Sequence, residues 1–272
     1  MAYPTVGYEG AVTSWAGTAN TQLLANIKPY AATLNIQGNV DDRTPFSPTA
    51  NTMQMGGGLR EWGGLIRARF ASTPLVGYTG NVTFSSGDVL WVQRWAMTIS
   101  AAVLDISSMG STATGAGWKA FRPGLLAWRG NYDGLLDSTT ATVLPFAPQT
   151  APASATFTIA TSQTLSGTIL IDPLGLEFSV GELNKKGVGF VGSSTLTSAG
   201  ASNLFAAAAV AVPDWDTSGS DGVPDADLVF TASSGRTFTG PAFWSQVAVT
   251  VDPQRFTEVA ITFKGAGALT PA

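Results

Sequence analysis

Cysteine and histidine are both absent from the 272 residues. Without cysteine there is no thiol nucleophile, no disulfide staple and no thiolate-bound metal. Without histidine the chain lacks the side chain that most often serves as general base near neutral pH. Serine, lysine and carboxylate chemistry stay open, but the composition points away from an enzyme, and no cofactor is expected. Charge is scarce too: 14 Lys plus Arg and 18 Asp plus Glu make up 12% of the chain and leave a net −4. Tight binding to a nucleic acid backbone calls for a basic patch, and this balance argues against one. The longest apolar run, residues 204–212, is nine residues, against about twenty for a helical membrane span. Met1-Ala2-Tyr3-Pro4-Thr5 shows neither a basic n-region nor an apolar h-region, so no secretion signal and no membrane partner are expected.

What is present is repetition, in the order A, A′, B, B′. Gly7-Tyr8-Glu9-Gly10-Ala11-Val12-Thr13 returns as Gly77-Tyr78-Thr79-Gly80-Asn81-Val82-Thr83. Gly58-Leu59-x-x-Trp62-x-Gly64 returns as Gly124-Leu125-x-x-Trp128-x-Gly130. Separately, residues 164–197 lie over 237–270 without a gap, setting Gly167 on Gly240, Phe190 on Phe263 and Gly192 on Gly265. A repeat shorter than a domain usually marks a unit that buries its apolar face against its copy. Here each unit is split into a front and a back half. Front halves fall at 1–72 and 77–137, back halves at 164–200 and 237–272, and the order alone does not say which front joins which back.

Alternation at every second residue dominates locally and predicts strands. It runs through Val247, Val249 and Val251, through Leu174, Leu176 and Phe178, and through Val259, Ile261 and Phe263. Two long strands are expected from Tyr30 to Ile36 and from Trp95 to Ala101, with Tyr30 and Trp95 as matching aromatic starts. With 31 glycines and 44% apolar residues, the expected class is all-β, with few short helices. The proline-bearing stretch 138–163 reads as a linker, and 201–236 as an insertion with an acidic loop. Helical turns are expected in the alanine-rich 203–211, and a turn or short helix in 117–124.

The closing Phe263-Lys264-Gly265-Ala266-Gly267-Ala268-Leu269-Thr270 resembles the carboxyl end of tail tube (major tail) proteins of long-tailed bacteriophages. The front halves resemble the same family, with the strand from Trp95, an acid near Asp105, and Arg122-Pro123-Gly124-Leu125-x-x-Trp128-x-Gly130 in its usual order. The first copy keeps Asp41, Thr44, Gly58, Leu59, Trp62 and Gly64 but has Tyr30 in place of Trp95. The resemblance implies two interleaved tail-tube-like β-sandwich or barrel domains in one chain. It also implies that each domain lends about four strands to a barrel of roughly two dozen, so that three chains close a ring of pseudo-sixfold symmetry. Rings would stack into a hollow virion tail assembled in the host cytoplasm. Neighbours there would be terminator, tape measure and distal tail proteins, and DNA would pass without specific binding. An inner wall that repels phosphate calls for concentrated acids, and Asp105, Glu177 and Asp252 flank the long strands.

Trp62 and Trp128 read most simply as core filling. The stretch 214–225 has the spacing of a calcium loop, with Asp214, Asp216 and Ser218 at positions 1, 3 and 5, Gly219 at the bend and Asp225 at position 12. The same residues equally make a solvated acidic turn. Two rival functions fit an acidic β-rich chain: a trimeric capsid decoration or cement protein, and a secreted carbohydrate-binding module.

Overall fold

The computed structural model describes residues 11–16, 18–42, 55–70, 82–84, 92–107, 117–135, 152–160, 163–177, 180, 185–200, 204–205, 210, 213, 227–231, 235–252 and 255–272. Among these the chain is nearly all strand. In order they are β1 (Ala11–Trp15), helix α1 (Thr18–Ala25), β2 (Ile27–Asp42), β3 (Met55–Phe70), β4 (Val82–Phe84), β5 (Val92–Asp105), β6 (Phe121–Leu135) and β7 (Ala153–Ala160). There follow β8 (Gln163–Glu177), β9 (Lys185–Gly192), β10 (Thr197–Ala199), β11 (Asp227–Thr231), β12 (Thr237–Val251), β13 (Glu258–Gly265) and β14 (Thr270–Pro271). The all-β expectation holds.

The strands hydrogen-bond in the order β2-β3-β13-β12-β5-β6-β9-β8-β7-β4, with β11 on β12, β1 on β11, and β14 and β10 on β12 and β8. Two courses share one order. The course β2-β3-β13-β12-β11-β1 uses the first front half and the last back half. The course β5-β6-β9-β8-β7-β4 uses the second front half and the earlier back half. Register agrees as well. Phe263 lies opposite Gly64 and Phe190 opposite Gly130. Leu228 faces Gly240, and Ala155 faces Gly167. The two courses join where Gln246–Val251 pairs with Trp95–Ser100, Val249 opposite Met97.

Alternation explains which face is buried. Trp95, Met97, Ile99 and Ala101 of β5 point into the core, as do Val247, Val249 and Val251 of β12, while their neighbours along each strand are more exposed. Trp15, Trp62, Phe230 and Phe263 cluster in the first course. Trp95, Trp128, Tyr132, Phe157 and Phe190 cluster in the second.

Several sequence readings are corrected. Residues 153–160 are strand β7, because Ala155, Phe157 and Ile159 alternate into the core; the linker reading of 138–163 fails over that part. Within the presumed insertion 201–236, β11 is likewise a core strand through Leu228 and Phe230. Both courses bulge at this place, β2 between Pro29 and Ala31 and β5 between Val92 and Arg94. Tyr30 therefore matches Gln93, and Ala32, opposite Ile66, holds the place that Trp95 takes opposite Tyr132. Helix α1 had no sequence signal, since its Thr-Ala-Asn-Thr-Gln-Leu-Leu-Ala has no sustained apolar stripe. Thr21 Oγ1 donates to Trp15 O (2.7 Å), Asn20 Nδ2 donates to Ala16 O (3.1 Å), and Leu23 is buried, which ties α1 to the end of β1. In 117–124 a turn at Gly117 leads directly into β6. The calcium-like stretch 214–225 and the turns expected at 206–209 lie outside the described residues.

Candidate assembly surface

The paired tryptophans are pegs. Trp62 and Trp128 are 2% and 5% exposed, and each indole N–H donates to a backbone carbonyl at 2.8 Å: Trp62 to Gly267, Trp128 to Ser194. Each indole lies against a glycine where a Cβ would enter the ring, Gly265 under Trp62 and Gly192 under Trp128. Gly64 and Gly130 likewise leave room for a neighbouring carbonyl, Thr33 O and Ala96 O. The sequence marked these four glycines as a pattern; the reason for them is close approach of ring and backbone.

The junction between the courses is built from two layers of contact. Beneath lies the β12–β5 ladder. Above it, the segment entering β6 folds onto β3: Arg60 N donates to Gly117 O (2.7 Å) and Lys119 N to Arg60 O (2.8 Å). The Arg60 guanidinium sits 4.5 Å from the centre of the Trp118 ring. Lys119 and Lys264 converge on Glu61 Oε2 at 3.4 and 3.1 Å, and the Lys264 ammonium lies 4.3 Å from the Phe121 ring centre. Phe121, Phe243 and Ala266 close a small buried cluster beside them. Burial pushes the Glu61 carboxyl up, but the hydrogen bonds and charges of Lys264 and Lys119 outweigh it and hold the group below its ordinary 4.5.

The same positions differ in the second course. By ladder register Leu126, Ala127 and Val191 stand where Arg60, Glu61 and Lys264 stand in the first. Among the described residues no ion pair replaces that cluster, and Val191 is 48% exposed. A cleft of about 410 Å³ opens alongside, lined by Ile99, Leu126, Trp128, Ser194, Leu196 and Val210 among others. A second cleft of about 650 Å³ lies by Val12, Trp15, Leu24, Pro29 and Val229, with Asp227 the one carboxylate among its described lining residues. No cluster of acids that could hold a metal ion exists among the described residues.

In the run of eight strands β2-β3-β13-β12-β5-β6-β9-β8, the far arms of the β2–β3 and β5–β6 hairpins ladder on one side only. At each end of the run an edge lacks a neighbour among the described strands. One is the outer side of β2, which ends the sheet. The other is the stretch of β8 beyond Ile171, which pairs with β9 on one side only. The exposure pattern reflects this. Ile36 is 52% exposed, whereas Ile99, its counterpart opposite the second tryptophan, is 1% exposed under β12.

The face turned away from the core does not carry the expected excess of acid. Among described residues, Lys28, Arg67, Arg69, Arg94, Arg129 and Lys264 alternate with core positions there, against Glu61, Asp133, Glu177 and Glu258. That is six cations to four acids. Arg94 pairs with Asp133 at 3.1 Å. The three acids singled out in the sequence are not brought together. Asp105 sits at the far tip of the β5–β6 hairpin, lowered by hydrogen bonds from the Ser107 side chain and backbone N–H (the latter 2.9 Å). Asp252 follows β12 at the other end of the sheet, 3.9 Å from Arg255. Glu177 ends β8, opposite Lys185 in the ladder.

No protein-family model matches the sequence, and no curated protein does. Solved structures do match. One is from the tail of an empty gene transfer agent (GTA) particle, obtained by helical refinement with C6 symmetry. It has 13% identity and a TM-score of 0.37 over 43% of this chain and 93% of that one. Another is from the virion of a native gene transfer agent particle. It has 12% identity and a TM-score of 0.38 over 44% of this chain and 94% of that one.

Proposed function

We propose that this chain is a structural, non-enzymatic tail tube subunit of a long-tailed bacteriophage. Each chain supplies two copies of one tube domain, three chains close a ring, and rings stack into the hollow tail of the virion. The observation that carries this reading is the sheet of eight long strands left open at both ends, at β2 and at the outer half of β8. Unpaired edges of that length invite pairing, and a closed barrel is the arrangement that leaves none. The sequence resemblance of both Trp boxes and of the Phe263–Thr270 terminus to tail tube proteins supports the same choice. In this reading the face away from the core lines the channel that DNA takes at ejection. Passage by repulsion from an acidic wall is no part of the proposal, because that face carries six cations to four acids among the described residues.

Negative-stain microscopy of the purified chain tests it. Stacked rings or tubes with a central channel are the expected result. Compact trimers that bind emptied capsids would establish the decoration protein instead, and a monomer at every concentration would refute both.

A further inference from the structure

The joint inside the chain is a template for the joint between chains. We infer, resting on the ring reading above, that β2 of one chain pairs antiparallel with the outer half of β8 of the next in one register: Thr33 opposite Glu177, Leu34 opposite Leu176, Asn35 opposite Gly175 and Ile36 opposite Leu174.

The register follows from correspondences within one molecule. Trp244 faces Phe263, and after a one-residue bulge Val247 faces Ile261. Ile171 faces Phe190, and after a bulge in the same place Leu174 faces Val188. The Phe263–Gly64 and Phe190–Gly130 pairs fix Phe263 on Phe190. Residues 174–177 of β8 therefore match 247–250 of β12. On the other strand, Leu34 faces Gly64 as Met97 faces Gly130, so residues 33–36 of β2 match 96–99 of β5. Inside the chain, Val247 pairs Ile99, Ala248 pairs Thr98, Val249 pairs Met97 and Thr250 pairs Ala96. Substituting each residue by its match gives the register above.

Side chains agree with that transfer. Leu34 and Ile36 are the apolar members of the β2 row and stand partly exposed, where Met97 and Ile99 are covered by Val247 and Val249. Each strand is already held in its own sheet, so a one-residue slip would set inward Leu34 and Ile36 against outward Gly175 and Glu177 and break the pleat match. Among the remaining even registers, the match to the internal joint selects this one. The occupant is a second copy because the complementary edge is part of this same chain. Within the single molecule the two edges are not paired, and six strands stand between β2 and β8 in the sheet. The upper layer of the joint changes character. By register the partly buried Leu126 and the exposed Ala127 and Val191 stand where Arg60, Glu61 and Lys264 stand. The joint between chains therefore has uncharged residues at the positions that form the ionic cluster inside the chain.

Disulfide trapping decides the register, and the chain brings no cysteine of its own. Asn35→Cys with Gly175→Cys places thiols directly opposite, and a Cβ at Gly175 meets only Gly187 O, at 3.7 Å. Thr33→Cys with Glu177→Cys is a second in-register pair. Asn35→Cys with Glu177→Cys and Thr33→Cys with Gly175→Cys are two residues out of register, beyond the roughly 7 Å Cα reach of a disulfide. The expected result is that mild oxidation of assembled protein converts most in-register chains to a closed covalent three-chain species on non-reducing gels, and leaves out-of-register chains single. Rings visible by microscopy that trap only out-of-register pairs, or none, overturn the register and leave the tube reading standing. Absence of rings in the unsubstituted chain removes the tube reading and this inference together.

Discussion

Replacing Gly265 with alanine puts a methyl group inside the indole of Trp62, against Cε2, Nε1 and Cδ2. The ring has little freedom to retreat. Its N–H is held by Gly267 O at 2.8 Å, its far edge lies 2.8 Å from where a Cβ on Gly240 would sit, and Phe263 packs beside it at 6.1 Å. Overpacking a rigid site costs about 1–3 kcal/mol, and the upper half of that range applies because both ring and backbone are fixed. For a chain of this length that corresponds to a fall in melting temperature of very roughly 4–12 °C. Gly192→Ala meets the same obstruction at Trp128 and should cost about as much. Gly175→Ala meets only a carbonyl at 3.7 Å and should stay within about 0.5 kcal/mol of the parent. Urea unfolding of the three variants below assembly concentration measures the differences, and the cycle with Trp62→Phe isolates the clash. The double variant should recover at least about 1 kcal/mol relative to the sum of the singles. The reasoning is refuted if Gly265→Ala and Gly175→Ala unfold together, or if Trp62→Phe leaves the cost of Gly265→Ala unchanged.

Glu61→Gln leaves Lys119 and Lys264 facing each other without their shared negative charge, and the partly buried site should lose roughly 0.5–1.5 kcal/mol near neutral pH by urea midpoint. Because Glu61 is held below its ordinary 4.5, its contribution is complete above that value and disappears as pH falls through the lower folded-state pKa. Parent and Glu61→Gln should therefore converge in stability at acid pH, and a gap that widens there contradicts the assignment. Ring formation should persist at about 1 M salt, where screening shortens to ~3 Å, because the joint between chains lacks the ionic cluster; light scattering across a salt series checks this. Phe157→Ala should cost about 3–5 kcal/mol, since Phe157 stacks at 4.8 Å on Phe190 and packs at 5.5 Å on Trp95; a loss below 1 kcal/mol by the same urea assay would return β7 to the status of a linker.

The residues that were legible are those whose neighbours constrain them twice. Gly265, Gly192, Phe263 and Phe190 stand in a repeat because each is pressed between a tryptophan and a strand, so both copies keep the residue type. The flanking strands β7 and β11 escaped because their matched core residues need only be apolar. Phe157 and Phe230 agree, but Ala155 stands for Leu228, and the prolines and small polar residues upstream of β7 hid its period of two. The Tyr30–Trp95 match went astray by two residues because it set one aromatic on another, whereas the ladder sets Tyr30 on Gln93 at a bulge that both courses carry. The open edges were invisible for a different reason. A free edge and a paired edge have the same sequence pattern, and only the ladder tells which side of β2 or β8 lacks a partner.

Outward-facing residues differ between the two courses while core residues recur, and where each face sits explains both. Core positions must fill the same space twice, so Trp62 and Phe263 reappear as Trp128 and Phe190. Positions on the opposite face meet water and are free to differ: by register Arg67 corresponds to Asp133, Arg129 to Gly63, Arg94 to Ala31 and Lys264 to Val191. A ring of three such chains would repeat its backbone about every sixth of a turn but its charges only every third. Two copies in one chain would permit this. In a single-copy ring every joint is the same, whereas in the proposed ring the joint inside the chain holds Glu61 between two lysines and the matched described positions of the joint between chains are uncharged. The chain-internal joint would form on folding at any concentration and the other on association, where burying Leu34, Ile36 and Val191 would supply a driving force that salt does not weaken.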